Sequence, residues 1–261
     1  MKSSVRVTTA ALAILWIAAL HARSGDPFGG SGRAYAAPAR LGDTGLYAND
    51  TPGAVAPANR PYSPQYPLWS DGAAKARWIY LPPGTTIDTR DASEWRFPIG
   101  TKFWKEFSFN GRKVETRYLW HASAGEWVFA TYVWNPEGTD ALLAPDAGVP
   151  RAVDLAAGRS HTIPSAADCR ACHGDRHAGP LGFNALQLST DRDPNAIHGE
   201  PLSPEMTTIA TLNGAGLLSP ARPELVANPP RIRASDPQTR AVLGYFAGNC
   251  GHCHNGNGDI A

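Results

Sequence analysis

Apolar and polar residues alternate in three neighbouring segments in the middle of the chain. Thr101 to Phe109 and Lys113 to Trp120 each place successive side chains on opposite faces, which is the period of a β-strand. Asn110-Gly111 lies between them, and both residues tolerate the positive φ angles of a type I′ hairpin turn. Trp127 to Trp134 repeats the pattern after a break at Ser123-Ala124-Gly125. The pattern predicts an antiparallel β-meander.

Helical signals occur only later in the chain and are short. Ser165 is placed to cap a helical turn that carries Asp168 to His173. Asp236 to Gly248 is a second helix candidate, with Asp236 as the cap and Pro237 in the first position. Between them, residues 191–237 contain eight prolines and should be irregular, with short helices at most. The predicted fold class is α+β: an N-terminal antiparallel β sandwich or barrel-like domain, followed by a small, loop-rich, mostly α region.

The N-terminus has the features of an export signal. An unbroken apolar run from Ala10 to Leu20 follows Lys2 and Arg6, and it is too short to span a bilayer as a helix. We interpret residues 1–36 as a signal peptide and leader, cleaved between positions 22 and 36. A buried N-terminal helix or an uncleaved anchor is the alternative. The prediction is a periplasmic or secreted protein with no membrane span in the mature chain.

Composition divides the remaining chain into three parts. Residues 37–67 are rich in Pro, Ala, Gly and Asn and form a predicted irregular tether or wrap. Residues 68–160 are the predicted β domain, which contains seven of the eight tryptophans. An aromatic-rich domain can be a sugar-binding platform, but aromatic side chains are also ordinary fillers of strand surfaces. Residues 161–261 form the third part and contain every cysteine.

The overall charge excludes one class of partner. The formal net charge is only +1, with 24 basic and 23 acidic side chains. This balance provides no positive field for a polyanion, so nucleic acid is not a predicted partner. Hydrophobic residues make up 43% of the chain, which is enough for a core and argues against wholesale disorder.

All four cysteines fall in two copies of one pattern, C-x-x-C-H. Two cysteines three residues apart stand about one helical turn from each other, so both thiols can reach the two vinyl groups of one porphyrin. The histidine that follows can then bind the iron as its proximal ligand. The sequence therefore predicts two covalently attached haem c groups. The thioether residues are Cys169, Cys172, Cys250 and Cys253, and the proximal ligands are His173 and His254.

Three other chemistries use paired cysteines. A zinc ribbon also has two C-x-x-C pairs, typically ~15–20 residues apart, whereas 77 residues separate Cys172 from Cys250. Two local disulfides or a thioredoxin-like redox pair are also open to an exported protein. Neither explains a histidine after each pair, and no βαβ pattern surrounds either motif.

The distal iron ligands are less clearly marked. Met206 is the only methionine besides the initiator, and its thioether is a candidate sixth ligand. His177 and His198 are rival candidates, and His121 and His161 are more distant ones; His252 lies inside its own motif and is taken as incidental. Only seven residues follow His254, so we expect a truncated chain; the alternative is that upstream residues or a partner complete the second haem site.

These motifs resemble those of secreted dihaem c-type cytochromes whose N-terminal half is an aromatic β domain. The resemblance runs from about residue 61 to the end of the chain, and residues 161–261 correspond to its cytochrome c-like haem region. It implies electron transfer at the periplasm or cell surface, with periplasmic redox proteins as partners. The matching stretches are Tyr66 to Ala73, Phe97 to Lys102, Val114 to Arg117, Thr131 to Asn135, and both haem motifs with Asn249 before the second.

The predicted function is therefore single-electron transfer through two haems. One alternative is a dihaem peroxidase-like enzyme, in which one iron keeps an open sixth position. The other is a haem-bearing binding or scaffold module that docks to a larger oxidoreductase. No catalytic residues are predicted, because the chain has neither a glycine-rich phosphate loop of the dinucleotide type nor a nucleophile elbow.

Overall fold

The computed structural model describes residues 35–174 and 179–254. The strands are β1 (Arg60–Pro61), β2 (Ala74–Tyr80), β3 (Ile87–Asp88), β4 (Lys102–Phe109), β5 (Arg112–Ser123), β6 (Glu126–Trp134), β7 (Ala141–Leu143), β8 (Val149–Asp154), β9 (Ser160–Ile163) and β10 (Leu218–Ser219). The helices are α1 (Ala166–His173), α2 (Ile209–Gly214), α3 (Pro223–Ala227) and α4 (Pro237–Asn249). The fold is thus mixed, with more strand than helix.

The main sheet has six antiparallel strands in the order β1-β2-β4-β5-β6-β7. The predicted meander is confirmed. Asn110 and Gly111 have φ angles of 50° and 77°, so the hairpin between β4 and β5 turns where the sequence indicated. The main sheet is open. Mostly irregular segments cover its faces, where we expected a second sheet of a sandwich or closure into a barrel. The edge strands β1 and β7 are too short to recruit a second large sheet.

Both faces of this sheet are buried, each by a different part of the chain. One face packs against the N-terminal segment through Leu41 and Leu46, both 0% exposed. The other face packs against the C-terminal half through Phe183, Leu188 and Ile209. Aromatic residues on alternate positions are therefore core on both sides, as area burial favours. Residues 37–67 cover the sheet, and residues from Tyr35 onward belong to one compact unit.

Both predicted helices are confirmed with their caps. Ser165 forms a capping box with Asp168 at the start of α1. Asp236 accepts a hydrogen bond from the backbone N–H of Thr239 at the start of α4, and Pro237 occupies its first position. In the described residues no helix is long and apolar enough to cross a membrane.

The sequence did not predict the hairpin formed by β8 and β9. Most of its side chains are exposed or half-buried, so it lacks the clear alternation that marks a half-buried strand. The hairpin leads directly into α1 and holds His161 against β5. It thereby fixes where the first C-x-x-C-H motif begins.

Candidate haem-binding site

Helix α1 carries the first motif and packs on one face of the main sheet. Cys169 is half-buried, Cys172 is exposed, and both are free thiols. The helix packs against β6, where the ring of Phe129 lies 5.4 Å from the ring of His173, centroid to centroid. The motif is therefore held in place before any cofactor is attached.

The imidazole of His173 is oriented by a backbone carbonyl. Its Nδ1 lies 2.7 Å from the carbonyl oxygen of Gly179. Because a carbonyl oxygen only accepts, Nδ1 carries the proton and Nε2 keeps its lone pair, as metal-ligating histidines require. Burial lowers the pKa of His173, which favours the neutral imidazole that binds a metal. These features fit the predicted role of a proximal ligand.

His173 borders a pocket between the sheet and the two helices that carry the motifs. The pocket contains about 710 Å³ of empty space, a volume that includes the part open to solvent. Its lining is largely apolar and aromatic, with three cationic side chains. The apolar and aromatic lining includes Tyr62, Tyr66, Leu68, Phe103, Leu119 and Leu181.

The three cations of this pocket lie in one row across neighbouring strands. Arg77 on β2 is opposite Lys105 on β4, and Lys105 is opposite Arg117 on β5. Arg77 donates to Glu200, with an Nη2–Oε1 distance of 3.0 Å. Arg117 donates to Glu115, with an Nη2–Oε1 distance of 2.8 Å. Sequence reasoning missed this row, although a lysine between two inward-facing phenylalanines was a visible signal.

The second motif begins at the C-terminal end of α4. Cys250 is the C-cap of this helix and is exposed, Cys253 is half-buried, and His254 is exposed. Asn249, just before the motif, accepts a hydrogen bond of 2.7 Å from the backbone N–H of Trp69. The loop after β1 is thereby tied to the start of the second motif.

Two glycines bring α4 close to the pocket. A Cβ at Gly244 would lie 2.0 Å from the ring of Tyr66, and a Cβ at Gly248 would lie 2.3 Å from the Tyr66 carbonyl oxygen. Only glycine permits this approach, because any other side chain would overlap Tyr66. Gly248 itself lines the pocket, two residues before Cys250.

The fold brings together two motifs that are 77 residues apart in the chain. Burial raises the pKa of the Cys172 thiol, and the nearby Cys253 raises it further. His252 also lies near enough to His173 to act on its pKa. In residues 35–174 and 179–254, no group of three or more His, Cys, Asp or Glu side chains has the geometry to hold a metal ion.

The structure separates the candidate distal ligands. His161 is buried, and its Nδ1 and Nε2 lie 2.8 Å from Asp71 and 3.0 Å from Glu115. Both ring nitrogens are therefore engaged, and His161 is not an iron ligand in this arrangement. His121 stacks on Trp127 with ring centroids 4.7 Å apart.

Met206 and the two rival histidines lie in different places. Met206 is half-buried in the loop before α2 and is not among the residues that line the pocket. His198 is exposed and lies near α4, with its ring 6.2 Å from that of Tyr245. His177 lies outside the described residues.

Haem c fits the first of these two sites by the chemistry of its lining. Helix α1 carries two thiols and an imidazole, the groups that attach and ligate haem c, and the imidazole borders a largely apolar pocket. Cationic side chains at the pocket match the two propionate carboxylates of haem. Comparisons of the chain with protein-family models, with curated proteins and with solved structures find no match.

Proposed function

We propose that the chain is an exported dihaem c-type cytochrome that transfers single electrons between periplasmic redox partners. The observation that carries this proposal is the orientation of His173, whose Nδ1 is held by Gly179 while the ring borders an apolar pocket. Bound haem supplies a one-electron redox change at its iron. The role of the chain is to attach the two haems, fix their orientation and set their potentials.

In this proposal each residue of the two motifs has a defined task. Cys169 and Cys172 form the thioether bonds of the first haem, and His173 is its proximal ligand. In the second motif of the cytochrome c-like region, Cys250 and Cys253 form the thioether bonds and His254 is the proximal ligand. The main sheet forms a rigid wall of the first site, because Phe103 and Leu119 reach the pocket from adjacent strands.

The closeness of the two motifs supports electron transfer within the molecule. Cys172 and Cys253 interact electrostatically, although one lies on α1 and the other follows α4. Two haems attached there would lie near each other, which gives an electron a short path between them. Packing at Tyr66 and the Trp69–Asn249 hydrogen bond maintain this placement.

A redox titration of cysteine-pair variants tests this function. We expect the wild-type protein to take up two electrons, and Cys169→Ala/Cys172→Ala and Cys250→Ala/Cys253→Ala to take up one each. His252→Ala is the matched control, because it changes the second motif outside the attachment residues and should keep both electrons. Loss of both electrons in either variant, or no haem-linked redox change, contradicts the proposal.

A dihaem peroxidase-like enzyme is the second candidate function. Apart from His173, the pocket lining in the described residues contains no histidine or methionine, which favours an iron with an open sixth position. In the electron-transfer proposal, Met206 is the candidate distal ligand. We expect Met206→Leu to convert one low-spin iron to high spin and to lower its potential if Met206 is that ligand. An unchanged spectrum, with one iron high-spin in the wild type, favours the peroxidase-like enzyme.

A further inference from the structure

Lys105 is the one member of the cationic row at the pocket without a carboxylate partner. Arg77 pairs with Glu200 and Arg117 pairs with Glu115. Within the described parts of the chain, no carboxylate lies within 4.0 Å of the Lys105 ammonium group. Its nearest described interaction is with the ring of Phe107, whose centroid lies 4.9 Å from Nζ.

The row is unfavourable as it stands. Like charges directly opposite each other on neighbouring strands destabilise a sheet. Removing a charge from water is also costly unless a partner compensates it. The Phe107 ring offsets only part of this cost, and it also accommodates the Arg117 guanidinium, whose central carbon lies 4.4 Å from the ring centroid. Burial, together with the neighbouring Arg77 and Arg117, therefore holds the pKa of Lys105 well below its usual value, and an anion bound beside the amine would stabilise its charged form.

The charged groups around the row leave an excess of positive charge. Glu200 balances the charge of Arg77. A second group contains two anions, Glu115 and Asp71, and two cations, which are Arg117 and the protonated form of His161. Lys75 lies on the same face, but its Nζ donates to the carbonyl oxygen of Leu68 at 3.0 Å. Neither Lys75 nor Lys105 has a carboxylate within 4.0 Å among the described residues, and of the two only Lys105 borders the pocket beside His173.

We propose that Lys105, flanked by Arg77 and Arg117, is a carboxylate-binding site inside the pocket. This inference rests on the proposed function for one of its two sources, a propionate of the haem attached at the first motif. The other source is a small dissociable carboxylate that enters the pocket from solvent. In both cases Lys105 donates a charge-assisted hydrogen bond to a carboxylate oxygen. Lys105 acts here as a positioning residue that also sets the potential of the adjacent haem.

The test compares the holoprotein with its Lys105→Met and Lys105→Arg variants. Haem content is first measured for all three, so that a failure of the haem proposal is recognised separately. The reduction potential of each haem is then determined with and without added acetate. Acetate binding is also measured by calorimetry, a readout that does not depend on haem attachment.

A bound propionate and a dissociable carboxylate give different results. With a propionate, Lys105→Met lowers the potential of the first haem, because a nearby cation favours the reduced iron. The expected change is about tenfold in the redox equilibrium constant, or 59 mV for one electron. Lys105→Arg keeps the wild-type potential, and acetate has no effect. With a dissociable carboxylate, acetate binds the wild-type protein and shifts its potential, and Lys105→Met abolishes both effects.

Two results would overturn the proposal. The first is an unchanged first-haem potential in Lys105→Met together with no acetate binding by the wild type. The second is a change of the first haem from six- to five-coordinate in Lys105→Met, which would make Lys105 an iron ligand. If no haem is attached at the first motif, the calorimetric comparison alone decides: saturable binding lost in Lys105→Met supports the site, and its absence in the wild type rejects it.

Discussion

A single buried histidine joins three separate parts of the chain. His161 on β9 lies between Asp71, in the loop after β1, and Glu115 on β5. Glu115 also accepts a hydrogen bond from Arg117, one of the three cations at the pocket. Removing one partner from such a buried network leaves an uncompensated charge, which costs about 3–5 kcal/mol.

The stability provided by His161 depends on pH in a defined way. The hydrogen bond to Glu115 raises the pKa of His161, with Asp71 acting in the same direction against burial. The resulting stability is fully present below the unfolded pKa of about 6.5 and is lost as pH rises through the folded pKa. Burial alone would raise the pKa of Glu115, but His161 and Arg117 outweigh it and lower that pKa. Glu115 therefore contributes stability above about pH 4.3, which is lost as pH falls through its folded pKa.

We therefore expect His161→Gln to destabilise the protein most in mildly acidic solution. The predicted loss in the free energy of unfolding is about 3 kcal/mol between the folded pKa values of Glu115 and His161. The loss should shrink at alkaline pH, where wild-type His161 is also neutral. Urea denaturation at several pH values measures this, with the exposed His198→Gln as control. A loss that is the same at every pH would contradict the assignment of charge to His161.

The sequence predicts the roles of some site residues but not of others. The thiols and histidines of the two motifs could be located from their spacing, and the haem chemistry that this spacing predicts is a proposal. The role of His161 and the pairing of Arg77 could not, since each depends on a partner far away in the chain. Glu115 is 46 positions from His161, and Glu200 is 123 positions from Arg77. The sequence pattern within one strand contains no information about such contacts.

Helix α4 positions the second motif through a close contact with Tyr66. Gly244 packs against the buried ring of Tyr66, and Gly248 packs against the backbone carbonyl group of Tyr66. Tyr66 is 1% exposed and its hydroxyl lies 3.2 Å from Asp193, so it cannot move away easily. The position of Cys250 therefore depends on the absence of a Cβ at both glycines.

We predict that Gly244→Ala displaces α4 and reduces haem attachment at the second motif. The added methyl group overlaps Tyr66, and such overpacking typically costs about 1–3 kcal/mol. Gly214→Ala, at the end of α2, is the matched control because its Cβ would meet nothing within 4 Å. Thermal unfolding and intact mass measure the two effects. If Gly244→Ala retains wild-type stability and two haems, the contact does not position the motif.

The elements themselves follow largely from local signals. The hairpin at Asn110-Gly111 and the caps at Ser165 and Asp236 are where turn and capping chemistry placed them. The expected closure of the sheet was wrong, because closure depends on edges that pair at long range. The β8–β9 hairpin was missed because its exposed positions leave no regular apolar pattern.

At the scale of the molecule, one sheet organises both halves of the chain. Its strands bury one face under the N-terminal segment and the other under the C-terminal half, which also contains both motifs. The result is a pocket at His173 with a wall from α4, so the two motifs share one side of the protein. The motifs could be located in the sequence, but their proximity could not be predicted, because 77 residues lie between Cys172 and Cys250.

The mass of the exported protein, combined with its pyridine haemochrome spectrum, tests the central claim most directly. The proposal predicts two haems added covalently, each remaining attached after denaturation, with all four cysteines consumed. It also predicts that no thiol remains for alkylation. A protein whose mass shows no haem, and which instead contains zinc or two disulfides, would contradict the proposed function.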